Sequence, residues 1–597
     1  MTATPAPAES TADLDLLRRF EPVIRFNRGE LFYPTSVADF VASSALFSVV
    51  GKETELIAER GTLDLQTLAA AGREHAGAML YLQQVDAPLD RKQYRQWKRR
   101  EDRERFRFSS RFAAVGLVGR FVDAIMRLTL LLRGNVPGGY AAAAHLAYRA
   151  TPRSDECFYY GHVSRDAGYV VLQYWYFYSM NDWRSTFGGV NDHESDWEQV
   201  TVFLTEDLEP SWVAFSSHDE VGDDLRRRWD DPDIEFVDGT HPVVYAGAGS
   251  HSGAYLPGEY LITAPLPIPE WLDGIRRGII RLLPWRGQAG QGTVGIPYID
   301  YKRGDGLSVG VDQDRPWQAV VVDDDTDWVR DFRGLWGLDT RDFLGGERAP
   351  AGMRYERDGT VRASWGQPVA WAGLDREAPS EAWAMRGLEA ASGELQVQLR
   401  DLTDRLSDAR EELRAARTAE RAQGRSPQRP TPELTELSDT VARLRAEQVQ
   451  LVNRIEAAEL GIESATLPTE DVHAHLSHRA VPMAAADTVR GRLLRIWSAA
   501  SASVLLAAFG ILLLAGHSGL LWPVLWISFA MLVIESILRQ RFLQLLVVSV
   551  IVAVTVILAL AVWEIFTGNP RIGFGILLLV IAFYLVLQTA REAIRTR

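Results

Sequence analysis

Residues 191–204 read NDHESDWEQVTVFL, and five ionisable side chains (Asp192, His193, Glu194, Asp196 and Glu198) stand at the mouth of an apolar run. Charged side chains are rarely buried unless they are paired or hold a metal. Side chains of a strand alternate between its faces, so Asp196 and Glu198 share one face and Trp197 takes the other. His193 falls on the loop that enters the strand. An imidazole and two carboxylates meeting at one point make a mixed nitrogen and oxygen ligand set. Such a set suits a divalent cation, Mg²⁺ or Ca²⁺ first, with Mn²⁺ and Zn²⁺ as alternatives. The competing reading is a solvated loop with a salt bridge to Arg184.

The neighbouring segments add polar groups. YWYFYSMNDW ends in Asn181 and Asp182, SSHDE carries His218, and HPVVYAGAGSHSGAY carries His241 and His251. The chain has 11 histidines, and His162, His193, His218, His241 and His251 all fall in this region, as expected of one polar cleft at strand ends. His162 and His241 read as satisfied core histidines. His218 and His251 are the candidates for orienting a ligand or for general acid–base work.

Two functions compete. In the first, the cation keeps open positions that accept hydroxyl or phosphate oxygens of a lipid or glycan head group, with Trp183 offering a ring to a sugar. In the second, the cation activates water in a metal-dependent hydrolase acting on phosphoesters. Against the second, no further carboxylate cluster suggests a two-metal site, and neither a G-x-S-x-G elbow nor a phosphate-binding Walker loop is present. A membrane scaffold or channel is a third reading.

The elements that must position these residues follow from periodicity. The 597 residues exceed one hydrophobic core, and 47% of them are hydrophobic. A net charge of −14 argues against general nucleic-acid binding. The single cysteine, Cys157, excludes an intramolecular disulfide and points to a reducing compartment. Residues 1–18 read as a disordered leader. Over 19–375, β-branched and aromatic runs bounded by Gly, Asp and Pro predict an antiparallel β sandwich with helical insertions at about 50–150 and 262–295. Within those insertions, 112–132 and 270–287 are basic amphipathic segments suited either to core packing or to a membrane interface. Heptads on both sides of GRSPQRPTP predict an antiparallel coiled-coil hairpin over 383–465, a possible site of homo-oligomer formation. A linker at 466–495 follows. Four apolar segments, 496–516, 520–538, 542–563 and 572–590, read as transmembrane helices. Arginines before the first, between the second and third, and after the fourth place both termini in the cytoplasm, with 591–597 as a tail. Glu535 and Glu564 then sit near span ends and reach the interface.

The blocks RFEPVIRFNRGELFYPTSVADF (19–40), HESDWEQVTVFL, HPVVYAGAGSHSGAY, WVRDFRGLWG (328–337) and SWGQPVAW (364–371) resemble, in order, the vacuolar protein sorting-associated protein 62-like family. The H-x-x-D-W-E block is also similar to the heptapeptide of the necrosis- and ethylene-inducing-like proteins. That resemblance implies a β sandwich with a divalent cation in a cleft that docks a sphingolipid sugar head group. It implies His193, Asp196 and Glu198 as ligands, with Asp182 as the fourth and Asn181 as its rival. The chain departs from the pattern at Ser195 and Glu194, where those proteins carry histidine and arginine.

Overall fold

The computed structural model describes residues 7–50, 53–100, 117, 120, 139–183, 192–216, 222–265, 295–338, 349–422, 431–464, 471–477, 479–482, 489–514, 521–568 and a few single residues beyond. The chain divides into two compact units. The first comprises Met1–Glu104, Asn135–Tyr260 and Asp300–Pro482; the second comprises Arg105–Gly134, Leu261–Ile299 and Met483–Arg597.

Among the described residues, fifteen strands run in chain order: β1 (Val23–Arg25), β2 (Ala45–Val50), β3 (Glu53–Ala58), β4 (Met79–Gln83), β5 (Cys157–Asp166), β6 (Tyr169–Asn181), β7 (His193–Leu204), β8 (Pro210–Phe215), β9 (Arg226–Arg228), β10 (Phe236–Val237), β11 (His241–Tyr245), β12 (Gly258–Pro265), β13 (Gly295–Lys302), β14 (Ser308–Val309) and β15 (Trp317–Val321). The central sheet of the first unit has the order β15-β5-β6-β7-β8-β9, and a second has the order β10-β11-β1-β14. Both are mixed, because β15 joins β5 in parallel and β1 joins β11 in parallel. This corrects the antiparallel sandwich expected from local alternation. A strand that returns from far along the chain can dock in either sense, and alternation carries no record of which.

Every residue of β6 and β7 is buried. Val170, Leu172, Tyr174, Tyr176 and Tyr178 of β6, with Val200 and Val202 of β7, join Ile24, Val244 and Val309 of the second sheet and the adjoining Phe26 in one core. Trp175, Phe177 and Trp197 face the opposite way, into a core with Val37, Phe40, Leu68, Trp328 and Trp336. Helices Val37–Ala42, Leu65–Glu74 and Asp327–Asp331 supply that layer. The insertion expected to be helical also holds a three-stranded sheet, β3-β2-β4. Residues 7–20, placed largely in a disordered leader by composition, form a helix whose Leu17 and Phe20 lie in the core.

Helices Glu381–Ala422 and Pro432–Ser464 share an apolar seam of Leu395, Leu402, Leu406, Leu444, Leu451 and Ile455. Gln448, the polar residue in the second helix's seam, donates to Thr403 Oγ1 at 3.1 Å.

The second unit has helices at Val489–Leu514, Leu521–Leu538 and Phe542–Thr567. Among the described residues, no helix is long and apolar enough to cross a membrane. The four transmembrane spans, the multi-pass arrangement with cytoplasmic termini and the integral membrane tether are therefore withdrawn. Counting apolar letters overlooked the polar groups these helices pack around. Glu535 does not reach an interface: it is 5% exposed, and Arg120 contacts both of its oxygens, at 3.2 and 2.5 Å. Ser498 and Ser501 accept from the same guanidinium. The fourth segment, 572–590, and the basic segments 112–132 and 270–287 lie almost wholly outside the described residues.

Candidate metal centre

The β6–β7 ladder sets the positions of the ionisable residues. Tyr176 pairs with Glu198, Tyr178 with Asp196, Met180 with Glu194 and Asn181 with His193. Asp196 and Glu198 thus share the face of Tyr176 and Tyr178, and Trp197 enters the opposite core. Glu194 should share the face of Asp196 by simple alternation. Ser195, however, has φ +58°, in the left-handed region a non-glycine residue enters only at a cost. The turn redirects the Glu194 carboxylate, which accepts the N–H groups of Gln84, Val85 and Leu338 at 3.1, 2.6 and 3.2 Å.

The loop after β11 forms the opposing wall. His251, also left-handed at φ +56°, donates from Nδ1 to Asp196 Oδ2 at 2.9 Å. Its ring stacks on Tyr178 with centroids 3.7 Å apart. Asn181 Nδ2 donates to the same carboxylate oxygen at 3.1 Å. Asp182 lies against Gly249: its N–H donates to the Gly249 carbonyl at 3.0 Å, and a Cβ on Gly249 would fall 2.5 Å from Asp182 Oδ1. The Gly249 N–H donates to Glu30 Oε2 at 2.9 Å. Asp300 accepts the hydroxyls of Ser250 and Ser252 at 2.8 and 2.9 Å, and Lys302 Nζ stands 3.4 Å from it. Ser216 donates to Glu198.

Five carboxylates, Glu30, Asp182, Asp196, Glu198 and Asp300, are thus buried around one loop with His251 and Lys302. Burial, and after it the charge of Asp196, push the Glu198 carboxyl well above the ordinary range. Side-by-side carboxylates that repel one another in a dry place form a donor set that a hard divalent cation relieves. The buried His251 Nε2 makes no hydrogen bond. Asp196 and Glu198 are thus two buried acids whose charges oppose each other, beside an imidazole nitrogen without a partner.

The expected ligands are only partly gathered. Asp182, Asp196 and His251 converge on the 246–253 loop, and Glu198 is near enough to Asp196 to feel its charge. His193 is the first residue of β7, and its Nδ1 lies 3.4 Å from the Glu194 carbonyl. His218 and Arg184 lie outside the described residues. Trp183 is 6% exposed, so its ring packs inside rather than offering a face to a sugar. His162 stacks on Trp365, and His241 bonds to the Glu21 carbonyl, as satisfied core histidines do. Sequence reasoning missed Glu30, Asp300 and Lys302. The acid in RGE and the acid–base pair in IDYK are the faint signals that could have flagged them.

Among the described residues, the group of three acidic or histidine side chains whose donor atoms lie within 4.8 Å of one another is Asp231, Asp233 and His473, and it could hold a metal ion. The quartet of His193, Asp196, Glu198 and Asp182 is not such a group at that spacing.

Comparison with known proteins adds little. No family model matches the chain, so the resemblance to the vacuolar protein sorting-associated protein 62-like family is not shown. No curated protein matches either. Among solved structures, the chain is similar to necrosis and ethylene inducing protein 2 from the causal agent of cocoa's witches' broom disease. The identity there is 21% and the TM-score 0.15, over 18% of this chain and 48% of that one. It is also similar to NLPPya in complex with glucosamine, at 16% identity and a TM-score of 0.13, covering 18% of this chain and 46% of that one. NLPPya in complex with mannosamine matches at 18% identity and a TM-score of 0.14, with the same coverage. The chain thus spans about half the length of the structures it matches, and likeness at these scores carries no argument for a shared activity.

Proposed function

We propose that this chain is a divalent-cation-dependent binding protein whose cation is held by Asp196, Glu198 and Asp182, with His193 as a further ligand, and that it docks a glycan or lipid head group. The supporting observation is that Asp196 and Glu198 lie side by side on the buried face of β7, with His251 of the loop after β11 on Asp196 and with Asp182 against Gly249 of the same loop. A cation held mainly by carboxylates keeps open positions that prefer oxygen ligands. Vicinal hydroxyls of a sugar and phosphate oxygens of a lipid both supply them. His251 orients Asp196 through Nδ1, and its buried Nε2, which makes no hydrogen bond, is left to accept from the ligand.

The test uses the full chain on glycan arrays and on vesicles, in chelator and in added Ca²⁺ or Mg²⁺, beside Asp196→Asn. We expect metal-dependent retention without release of phosphate or sugar, and a loss of about tenfold or more in cation affinity in the variant with its circular dichroism unchanged. Equal retention in chelator and in cation overturns the reading, and metal-dependent release of product replaces it with hydrolysis.

A further inference from the structure

After β9 the chain turns through Trp229–Ile234. Asp231 Oδ1 accepts the Asp233 N–H at 2.8 Å, and the Asp231 carbonyl accepts the Ile234 N–H at 3.0 Å. An aspartate that ties its own turn in this way holds its carboxylate in one orientation. Residues 471–477 and 479, downstream of the helical hairpin, lie along this turn and the neighbouring strands. Ser477 N–H donates to Asp224 at 2.7 Å. His475 bonds the Arg226 carbonyl at 3.2 Å and meets the Trp212 ring edge-on at 5.2 Å. Arg479 Nε donates to Asp233 Oδ2 at 2.7 Å.

His473 brings an imidazole to the two aspartates. Its Nε2 lies 2.9 Å from Asp231 Oδ2 and 3.6 Å from Asp233 Oδ2. Donors bound at the usual ~2.0–2.2 Å to a first-row divalent ion stand roughly 3–3.5 Å apart, which matches these separations. A single ring N–H can serve only one oxygen, and Asp231 Oδ1 takes it at 3.0 Å. Asp231 Oδ2 is left with no hydrogen bond although the residue is 2% exposed, and the nearest guanidinium nitrogen, Arg227 Nε, is 3.9 Å away. An oxygen buried in that way, aimed at an imidazole nitrogen, marks where an ion would sit. Arg479 plays the part of an outer group that orients a ligating carboxylate. The His473 side chain is 21% exposed, which leaves a path for the ion.

We propose that Asp231, Asp233 and His473 form a second divalent-metal site of the zinc class, and that its metal staples residues 471–482 to β8 and β9. One imidazole and two carboxylates can take a hard or a borderline ion; the separations of 2.9 and 3.6 Å from the imidazole nitrogen are those around a small first-row ion, and they favour zinc here. The staple joins positions 242 residues apart in sequence. Losing it frees a long loop rather than a side chain, so the strap is fastened when metal is present and loosens when it is removed.

The experiment follows backbone hydrogen exchange of residues 471–482 in the full chain, in chelator and in zinc chloride, with His473→Gln, Asp231→Asn and Asp196→Asn beside the wild type. Zinc is expected to slow exchange of the strap about tenfold in the wild type and in Asp196→Asn, and to leave it unchanged in His473→Gln. Elemental analysis should show one zinc fewer in His473→Gln. Strap exchange that ignores zinc in the wild type, or that zinc slows equally in His473→Gln, overturns the proposal. If Asp231→Asn fails to fold, the part-exposed His473→Gln still decides. The Asp196→Asn arm separates this site from the head-group pocket.

Discussion

Glu194 makes stability depend on pH in a direction opposite to that of most acidic residues. Its side chain is 0% exposed. Burial pushes its carboxyl from the ordinary 4.5 up to about 7, against the opposing pull of hydrogen bonds from Val85, Leu338, Tyr140 and Gln84. A folded-state value raised above the unfolded one means that the protonated form favours folding. The stabilisation is fully present below 4.5 and is lost as pH rises through about 7. The gap between the two values corresponds to about 3 kcal/mol. Glu194→Gln removes the titration and keeps the shape, although its amide turns an NH₂ toward the Leu338 N–H and forfeits that hydrogen bond, worth about 1 kcal/mol. Urea unfolding of the full chain in chelator, from about pH 5 to about pH 8, measures the difference between wild type and variant. The wild type's advantage of about 1 kcal/mol at the acid end should fall by about 2.5 kcal/mol across the window and so reverse sign, and exchange of the Val85 amide should follow it. A difference that stays flat, or that grows with pH, would refute the account of burial outweighing hydrogen bonding.

Gly249 has φ +70°, and a Cβ there would lie 2.2 Å from the Asp182 carbonyl oxygen. Gly249→Ala should therefore cost about 1–3 kcal/mol in chemical unfolding and weaken cation binding, because the backbone that carries Asp182 has to move. Cys157 is fully buried, and burial pushes its thiol up to about 11. Its thiolate fraction at neutral pH is on the order of one in ten thousand, so thiol reagents should label it only at the rate of unfolding; rapid labelling of the native chain would show an opening the packing does not allow.

Much of the first unit was legible where neighbours in sequence are neighbours in space. The alternation in β7 placed Asp196 and Glu198 together and Trp197 opposite, and the ladder with β6 bears this out. The short motif GSH lies close to the site because His251 is held there by the turn that follows β11. Residues delivered by distant pairing were not legible. Glu30 follows β1, whose parallel partner β11 lies more than 200 residues later, and Asp300 and Lys302 belong to β13. Glu194 was hidden for a different reason, because one left-handed residue reversed the rule that alternation relies on. The membrane reading failed because a run of apolar letters does not reveal a carboxylate gathered with guanidinium groups, as Glu535 is with Arg120 and Arg539.

The same packing ranks the acids at the head of β7 by how fully each is compensated. All twelve residues of the strand are buried, so water cannot solvate its acids and each must find protein partners. Glu194 has three backbone N–H groups. Asp196 has His251, Asn181 and the Trp197 N–H. Glu198 has one hydroxyl, from Ser216, and the more diffuse field of Lys302, set against the charges of Asp196 and Asp300. It is the least compensated of the three, and a proton or a cation must make up the difference. A proton would satisfy Glu198 alone, whereas the proposed divalent ion would satisfy Glu198 and Asp196 together and would give Asp182 a role beside the glycine turn.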